Sequence, residues 1–152
     1  MARWLWFLLT FILAPVCASA DPIESSRIHV VDGDTIRIDK QKPYIQLMGF
    51  DAPEIRGAKC SAEIDLGVKT VRRIRSLLNQ GNLDFSFVPC PCASGKEGTA
   101  YCRRGRRCGI LKFNGRNVGD VLISEKMAIP QICDESRCQF TPQPWCRKQT
   151  AR

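Results

Sequence analysis

Between Val30 and Glu54 the chain reads VVDGDTIRIDKQKPYIQLMGFDAPE, and its four carboxylates nearest the apolar runs carry the chemistry. Asp32 and Asp34 stand just before Ile36 and Ile38, while Asp51 and Glu54 stand just after Ile45 and Leu47. If the two runs pair, all four carboxylates converge. Carboxylates held together repel unless a cation or a shared proton compensates. An all-oxygen ligand set of this kind selects a hard cation such as Ca²⁺ or Mg²⁺, which leaves Glu54 as a candidate base. Taken singly, Asp-Gly-Asp is also an ordinary hairpin turn and Asp-Ala-Pro-Glu an ordinary solvated corner. Only the two together, at this spacing, point to a site.

The elements that must position these groups are short strands. Ile36-Arg37-Ile38-Asp39 and Ile45-Gln46-Leu47-Met48 alternate apolar and polar residues, the period of a half-buried strand, with Lys40 to Pro43 as the turn between them. Gly33 is expected to take a positive φ in a tight Asp-Gly-Asp-Thr turn. Pro53 stiffens the second corner and pushes Ala52 away from helical geometry. Asp34 and Asp51 are then expected at neighbouring strand ends.

VVDGDTI followed by LMGFDAPE resembles the staphylococcal nuclease-like (thermonuclease) family, in particular its exported bacterial members. The resemblance continues through Cys60-Ser61-Ala62-Glu63 and Gly67, Arg104-Gly105-Arg106, and NGRNVGDVLISEKMA at 114–128, covering residues 28–130. It implies an α+β fold, a five-stranded oligonucleotide/oligosaccharide-binding (OB) β-barrel with packed helices. It also implies an endo- and exonucleolytic phosphodiesterase acting on DNA and RNA, with single strands favoured and 3′-phosphates as products. By the same resemblance Asp34 and Asp51 hold one Ca²⁺ with help from the Ala52 carbonyl, and Asp32 flanks the site. Glu54 activates the water, and Arg106 stabilises the transition state. The family's second phosphate-clamping arginine falls at Gln46 in this chain, and loss of one such preorganised donor costs about 10²–10³ in rate. Arg56 is the expected substitute. Arg37, one residue out of phase with Asp34, is expected to face away.

Residues 1–20, MARWLWFLLTFILAPVCASA, have one charge at Arg3, an apolar stretch and an Ala-Ser-Ala cleavage site, the pattern of a secretory signal peptide. An uncleaved anchor is the alternative, but the apolar run is shorter than the about 20 residues that span a bilayer. The expectation is a secreted or periplasmic monomer without stable membrane association after cleavage. Residues 21–132 then form one domain, and 133–152 a Cys/Pro-rich tail. The mature chain keeps 22 of the 23 basic residues against 15 acidic ones, a net charge of +7 that suits a polyanion.

Of nine cysteines, removal of Cys17 leaves Cys60, Cys90, Cys92, Cys102, Cys108, Cys133, Cys138 and Cys146. An even number in an exported chain argues for disulfides, and eight cysteines allow 105 pairings. The alternative is a zinc site of Cys90, Cys92, Cys102 and Cys108, against which the tight Cys-x-Cys spacing counts.

Elsewhere, Ile64, Val68, Val71, Ile74, Leu77 and Leu78 recur at helical steps in a helix beginning at Ser61 and ended by Gly81. Leu83–Val88 and Gly109–Phe113 read as strands joined by a long cross-linked hairpin loop, with Asn114-Gly115 as a two-residue turn and Val118–Met127 as a second helix. Arg103, Arg104, Arg106 and Arg107 place guanidinium forks suited to phosphate in that loop, with solubilising charge as the plainer account. Tyr101 is either a base-stacking or a packing side chain. His29, the one histidine, is expected at a strand edge. A non-cleaving nucleic-acid-binding barrel and a disulfide-stapled interaction scaffold remain the other function classes; the retention of Asp34, Asp51, Glu54 and Arg106 argues against the first.

Overall fold

In the computed structural model, residues 21–146 are described; the expected signal peptide and the last residues of the tail lie outside them. The fold is mixed α+β, a curled half-barrel sheet with two helices. The strands are Asp21–Pro22 (β1), Ile28–Asp32 (β2), Thr35–Ile38 (β3), Ile45–Leu47 (β4), Phe50–Asp51 (β5), Leu83–Val88 (β6), Arg107–Phe113 (β7), Arg116–Asn117 (β8) and Ile129–Pro130 (β9). The helices are Ser61–Leu78 (α1) and Val118–Ser124 (α2), the latter three residues shorter than the periodicity suggests.

One sheet runs in the order β1-β6-β7-β4-β3-β2, with β8 paired to β7, and β5 and β9 form a separate two-stranded ribbon. In place of the expected five strands the sheet has seven, of which β1 and β8 are two residues long, and its terminal strands, β1 and β2, do not pair with each other. His29 lies in the terminal strand β2, opposite Arg37. The β3–β4 pairing is antiparallel as expected, with Thr35 opposite Gln46 and Ile36 opposite Ile45. The β4–β7 pairing is parallel, with Ile45 beside Arg107 and Gln46 beside Cys108. That parallel register brings the loop arginines alongside the carboxylate turn. Asn114 and Gly115 both have positive φ, as the tight turn requires.

The core gathers Ile28, Ile36, Ile45, Leu47, Phe50, Ile74, Leu77, Leu111, Val118 and Leu122, side chains supplied by alternate strand positions and by one face of each helix. In the first half of α1 the buried stripe departs from the apolar periodicity. Ile64 is 42% exposed, and Glu63, Gly67 and Thr70 turn inward instead. Glu63 is the reason: its carboxylate accepts hydrogen bonds from the backbone N–H of Lys59 (2.7 Å) and Glu54 (3.4 Å), which rotates the helix start toward the Asp51–Glu54 corner. Gly67 permits the approach, since a Cβ there would lie 2.8 Å from the Pro53 carbonyl oxygen. At the other end of the assembly, Arg73 grips Glu125 through three hydrogen bonds of 2.7, 2.9 and 3.1 Å and joins α1 to the C-terminal end of α2.

All eight cysteines of the expected mature chain are paired, as Cys60–Cys146, Cys90–Cys108, Cys92–Cys102 and Cys133–Cys138. Two bridges staple the β6–β7 loop, one closes a tight loop in the tail, and one ties the tail back to the start of α1. The four cysteines of the zinc alternative are thus consumed by two bridges. Each bridge in a small domain contributes about 2–5 kcal/mol. The oxidised protein, alkylated without reductant, is therefore expected to show no labelled thiol by intact mass, and reduction is expected to unfold or greatly loosen it. Stoichiometric labelling together with bound zinc would instead restore the metal reading.

Candidate functional site

Asp34 leaves the β2–β3 turn buried at 7% exposure. Its Oδ1 accepts from the Thr35 hydroxyl at 2.8 Å and its Oδ2 from the Gln46 amide at 2.8 Å. The same Gln46 turns its Oε1 to the Arg106 guanidinium, which donates at 3.3 Å and also reaches Thr35 Oγ1 at 3.1 Å. Arg106, Gln46, Thr35 and Asp34 thus form one continuous polar chain across β3, β4 and the entry to β7. Gln46 bridges carboxylate and arginine. Thr35 had no assigned role in the sequence, although as Gln46's cross-strand partner it was reachable from the register.

Asp51, half-buried at the end of β5, is held by the β5–β9 pairing opposite Ile129. Its Oδ2 accepts a 2.9 Å hydrogen bond from the side-chain amide of Gln143 in the tail. Ala52 is buried at 3% exposure, and its Cβ would stand 2.6 Å from a Cβ placed on Gly33. Here the sequence expectation is corrected: Gly33 does not adopt positive φ. It is glycine because the Asp-Gly-Asp turn packs directly on the Asp51–Glu54 corner, against Ala52 and Thr70. A bulge between Val30 and Asp32 bends β2 into that contact. Asp32 caps the turn through the Gly33 N–H at 2.9 Å.

The electrostatics follow from this convergence. Burial pushes the Asp34 carboxyl up to about 6 from an ordinary 3.8, assisted by the charges of Asp51 and Asp32 and opposed by the Thr35 hydrogen bond and Arg106. Glu54 rises to about 7 from 4.5, first through burial, then through the charges of Asp34 and Asp32 and a hydrogen bond with Asp32, with Arg106 again opposing. A cluster of carboxylates that raise one another's proton affinity is under-compensated in positive charge. Asp34, Asp51 and the Ala52 carbonyl are all hard oxygen donors and suit a cation such as Ca²⁺. The carboxylates of Asp34, Asp51 and Glu54 do not close as a trio to within 4.8 Å. Among the described residues that spacing is met by Cys60, Glu63 and Cys146, where the two sulfurs are already a disulfide.

The loop arginines separate into distinct environments. Arg106 faces the cluster, and Arg107, its neighbour on β7, faces the opposite way and stacks on Phe87 with its guanidinium carbon 3.3 Å from the ring centroid. Arg103 is half-buried against the Cys133–Cys138 bridge, its guanidinium drawn below the ordinary arginine value by burial while the charges of Asp34 and Asp51 act in the opposite sense. Arg103 and Arg104 have φ of 50° and 57°, a left-handed pair at the tip of the loop. Arg104 is exposed, and so is Arg56, which has no ion pair among the described residues. Arg37 lies against the Tyr44 ring, 5.6 Å from its centroid. Tyr101 is 86% exposed beside the Lys96 ammonium, so the packing account of it is corrected. No family model matches the chain, and no curated protein matches it.

The raised carboxyls fix the sign of a pH effect. Between their ordinary values near 4 and their folded values of about 6 and 7, Asp34 and Glu54 keep protons that the unfolded chain has released, so stability falls as pH rises through that window. Asp39, Glu125 and Asp134 are shifted downward by hydrogen bonds from Arg27, Arg73 and Ser136, and their contribution is lost only below the same window. In chelator, the melting temperature is expected to be higher near pH 5 than near pH 7.5, and Asp34→Asn is expected to flatten the difference. A melting temperature that climbs from pH 5 to 7.5 in chelator would contradict the arrangement.

Proposed function

We propose that this chain is an exported, Ca²⁺-dependent phosphodiesterase that hydrolyses DNA and RNA. The observation that carries the proposal is the polar chain Arg106–Gln46–Asp34, which aims a cation at a buried carboxylate cluster containing a half-exposed glutamate. A phosphodiester needs the same three things: charge neutralisation, a donor for developing negative charge and a base for water. Five strands of the sheet, taken as β2-β3-β4-β7-β6 with the parallel β4–β7 pair, support an OB-type barrel beneath the site.

When bound between Asp34, Asp51 and the Ala52 carbonyl, Ca²⁺ would supply Lewis-acid neutralisation of a non-bridging phosphate oxygen. The chain's own residues do the rest. Arg106 engages Thr35 and Gln46 through one terminal nitrogen, Nη1, and its remaining N–H donors are available to a phosphate whose charge grows in the transition state. Glu54, with a carboxyl near 7, is matched to taking a proton from water at neutral pH. Glu63 fixes the backbone from which Glu54 projects. Arg103, half-buried in the field of Asp34 and Asp51, is a better candidate than exposed Arg56 for the second phosphate cation. Single-stranded substrates suit a site formed at a turn and a loop, and the excess of basic residues suits a polyanion. Among the described residues no helix is long and apolar enough to cross a membrane.

A second reading rests on one observation. Gln46 already satisfies both Asp34 and Arg106, so the same barrel would also serve as a binding module that holds single strands without cutting them. Denatured DNA incubated with the oxidised protein in Ca²⁺ and in chelator separates the two: cleavage in Ca²⁺ alone supports the enzyme, and retention without cleavage supports the binder. In the enzyme, Glu54→Gln is expected to reduce kcat by about tenfold or more while Ca²⁺ affinity stays near wild type; full-rate cleavage would remove Glu54 from the mechanism. Arg103→Ala is expected to slow cleavage and Arg56→Ala to leave it intact, and the reverse ranking would return the second cation to Arg56.

A further inference from the structure

The tail beyond residue 130 returns to the carboxylate cluster, and its return is fixed covalently. Cys146 is bonded to Cys60, the residue preceding α1, and Trp145 beside it is buried at 7% exposure. Three residues before the bridge, Gln143 stands between Pro142 and Pro144, whose fixed φ limits the backbone there. Its amide nitrogen donates to Asp51 Oδ2 at 2.9 Å, and its amide oxygen accepts from the Lys59 ammonium at 3.1 Å. The side chain is therefore held at both ends.

We infer that Gln143 is a positioning residue for Asp51, the tail's contribution to the cation site, and this rests on the Ca²⁺ reading of that site. The two candidate ligands are held in the same way. Asp34 is oriented by the amide of Gln46, and Asp51 by the amide of Gln143. A neutral amide fixes a carboxylate rotamer without cancelling the negative charge that a cation needs, whereas an arginine or lysine in the same place would compete with the cation. Only Oδ2 of Asp51 is engaged by Gln143, which leaves Oδ1 and the second lone pair of Oδ2 for a metal. Carboxylate ligands are commonly held by such hydrogen bonds, and their removal costs about 10–100-fold in metal affinity or activity. The Lys59 contact polarises the amide toward donation and keeps it from turning over. In this arrangement the bridge at Cys146 secures a donor to the site as well as the end of the fold.

The test is Ca²⁺ titration by calorimetry of the oxidised protein and of Gln143→Met, which keeps length and shape but has no donor. The expected result is a Kd weaker by about tenfold or more, an unchanged melting temperature in chelator, and near wild-type kcat on denatured DNA once Ca²⁺ is saturating. Gln143→Asn keeps an amide but shortens the reach, and is expected to lose affinity likewise; it serves should the methionine variant fail to fold. Unchanged affinity in the folded variant would make the contact incidental to tail packing and overturn the inference alone. Tighter Ca²⁺ binding with faster cleavage would overturn it in the other direction, making the tail an obstruction over Asp51. If the unaltered protein itself binds no Ca²⁺, the cation site fails first and this inference falls with it.

Discussion

A single buried carboxylate sets the geometry on which the site depends. Glu63, 1% exposed at the start of α1, has no salt-bridge partner among the described residues; it is satisfied by backbone N–H groups of the Asp51–Glu54 corner and of Lys59. A buried carboxylate without such donors would be strongly unfavourable, so helix and corner cannot separate without exposing that cost. With the corner fixed, Gly33 and Gly67 allow the Asp-Gly-Asp turn and the helix to close on it from two sides. The mutual repulsion of Asp34, Asp51 and Glu54 is a consequence of that closure, imposed by packing that the apolar core stabilises.

The same logic explains why the site spans so many elements. Asp34 comes from a turn, Gln46 from β4, Arg106 from the mouth of a disulfide-stapled loop, and Gln143 from the tail. What aligns the first three is strand register, since Thr35 lies opposite Gln46 and Gln46 beside Cys108. A shift of one residue in β4 would turn Gln46 into the core and Ile45 toward the arginine. Ile36, Ile45 and Leu47, all buried, prevent that slip.

Much of this was legible in the residues. The alternation around Ile36 and Ile45 announced the β3–β4 pair, the helical steps announced α1, and the even cysteine number announced bridges. Other features were hidden for physical reasons. Gly33 reads as a turn glycine because close approach leaves no mark in sequence that differs from a positive-φ requirement. The inward face of early α1 was misread because Glu63 and Thr70, polar residues satisfied by backbone groups, occupy it while Ile64 faces out. Gln143 was invisible, since it reaches Asp51 across 92 positions and only the Cys60–Cys146 connection makes that approach inevitable. Arg56 stands close to Glu54 in sequence and is exposed, and nearness along the chain does not specify direction; Arg106 reaches Gln46 and Thr35 from the loop before β7, which only the strand register reveals.

The Cys60–Cys146 bridge also changes what the chain is topologically. It closes residues 60–146, including α1, the long loop and β6 to β9, into one covalent ring, with β1–β5 on the only open arm among the described residues. A protease that cuts once within that ring, for instance in the exposed stretch around Tyr101, opens the ring but releases no fragment. The nicked molecule keeps its mass apart from one added water, and its separated segments remain joined through sulfur. For a protein whose bridges form in an oxidising medium, the first cut in the ring is thus absorbed as a change of connectivity, and loss of material begins only with a second cut or with reduction.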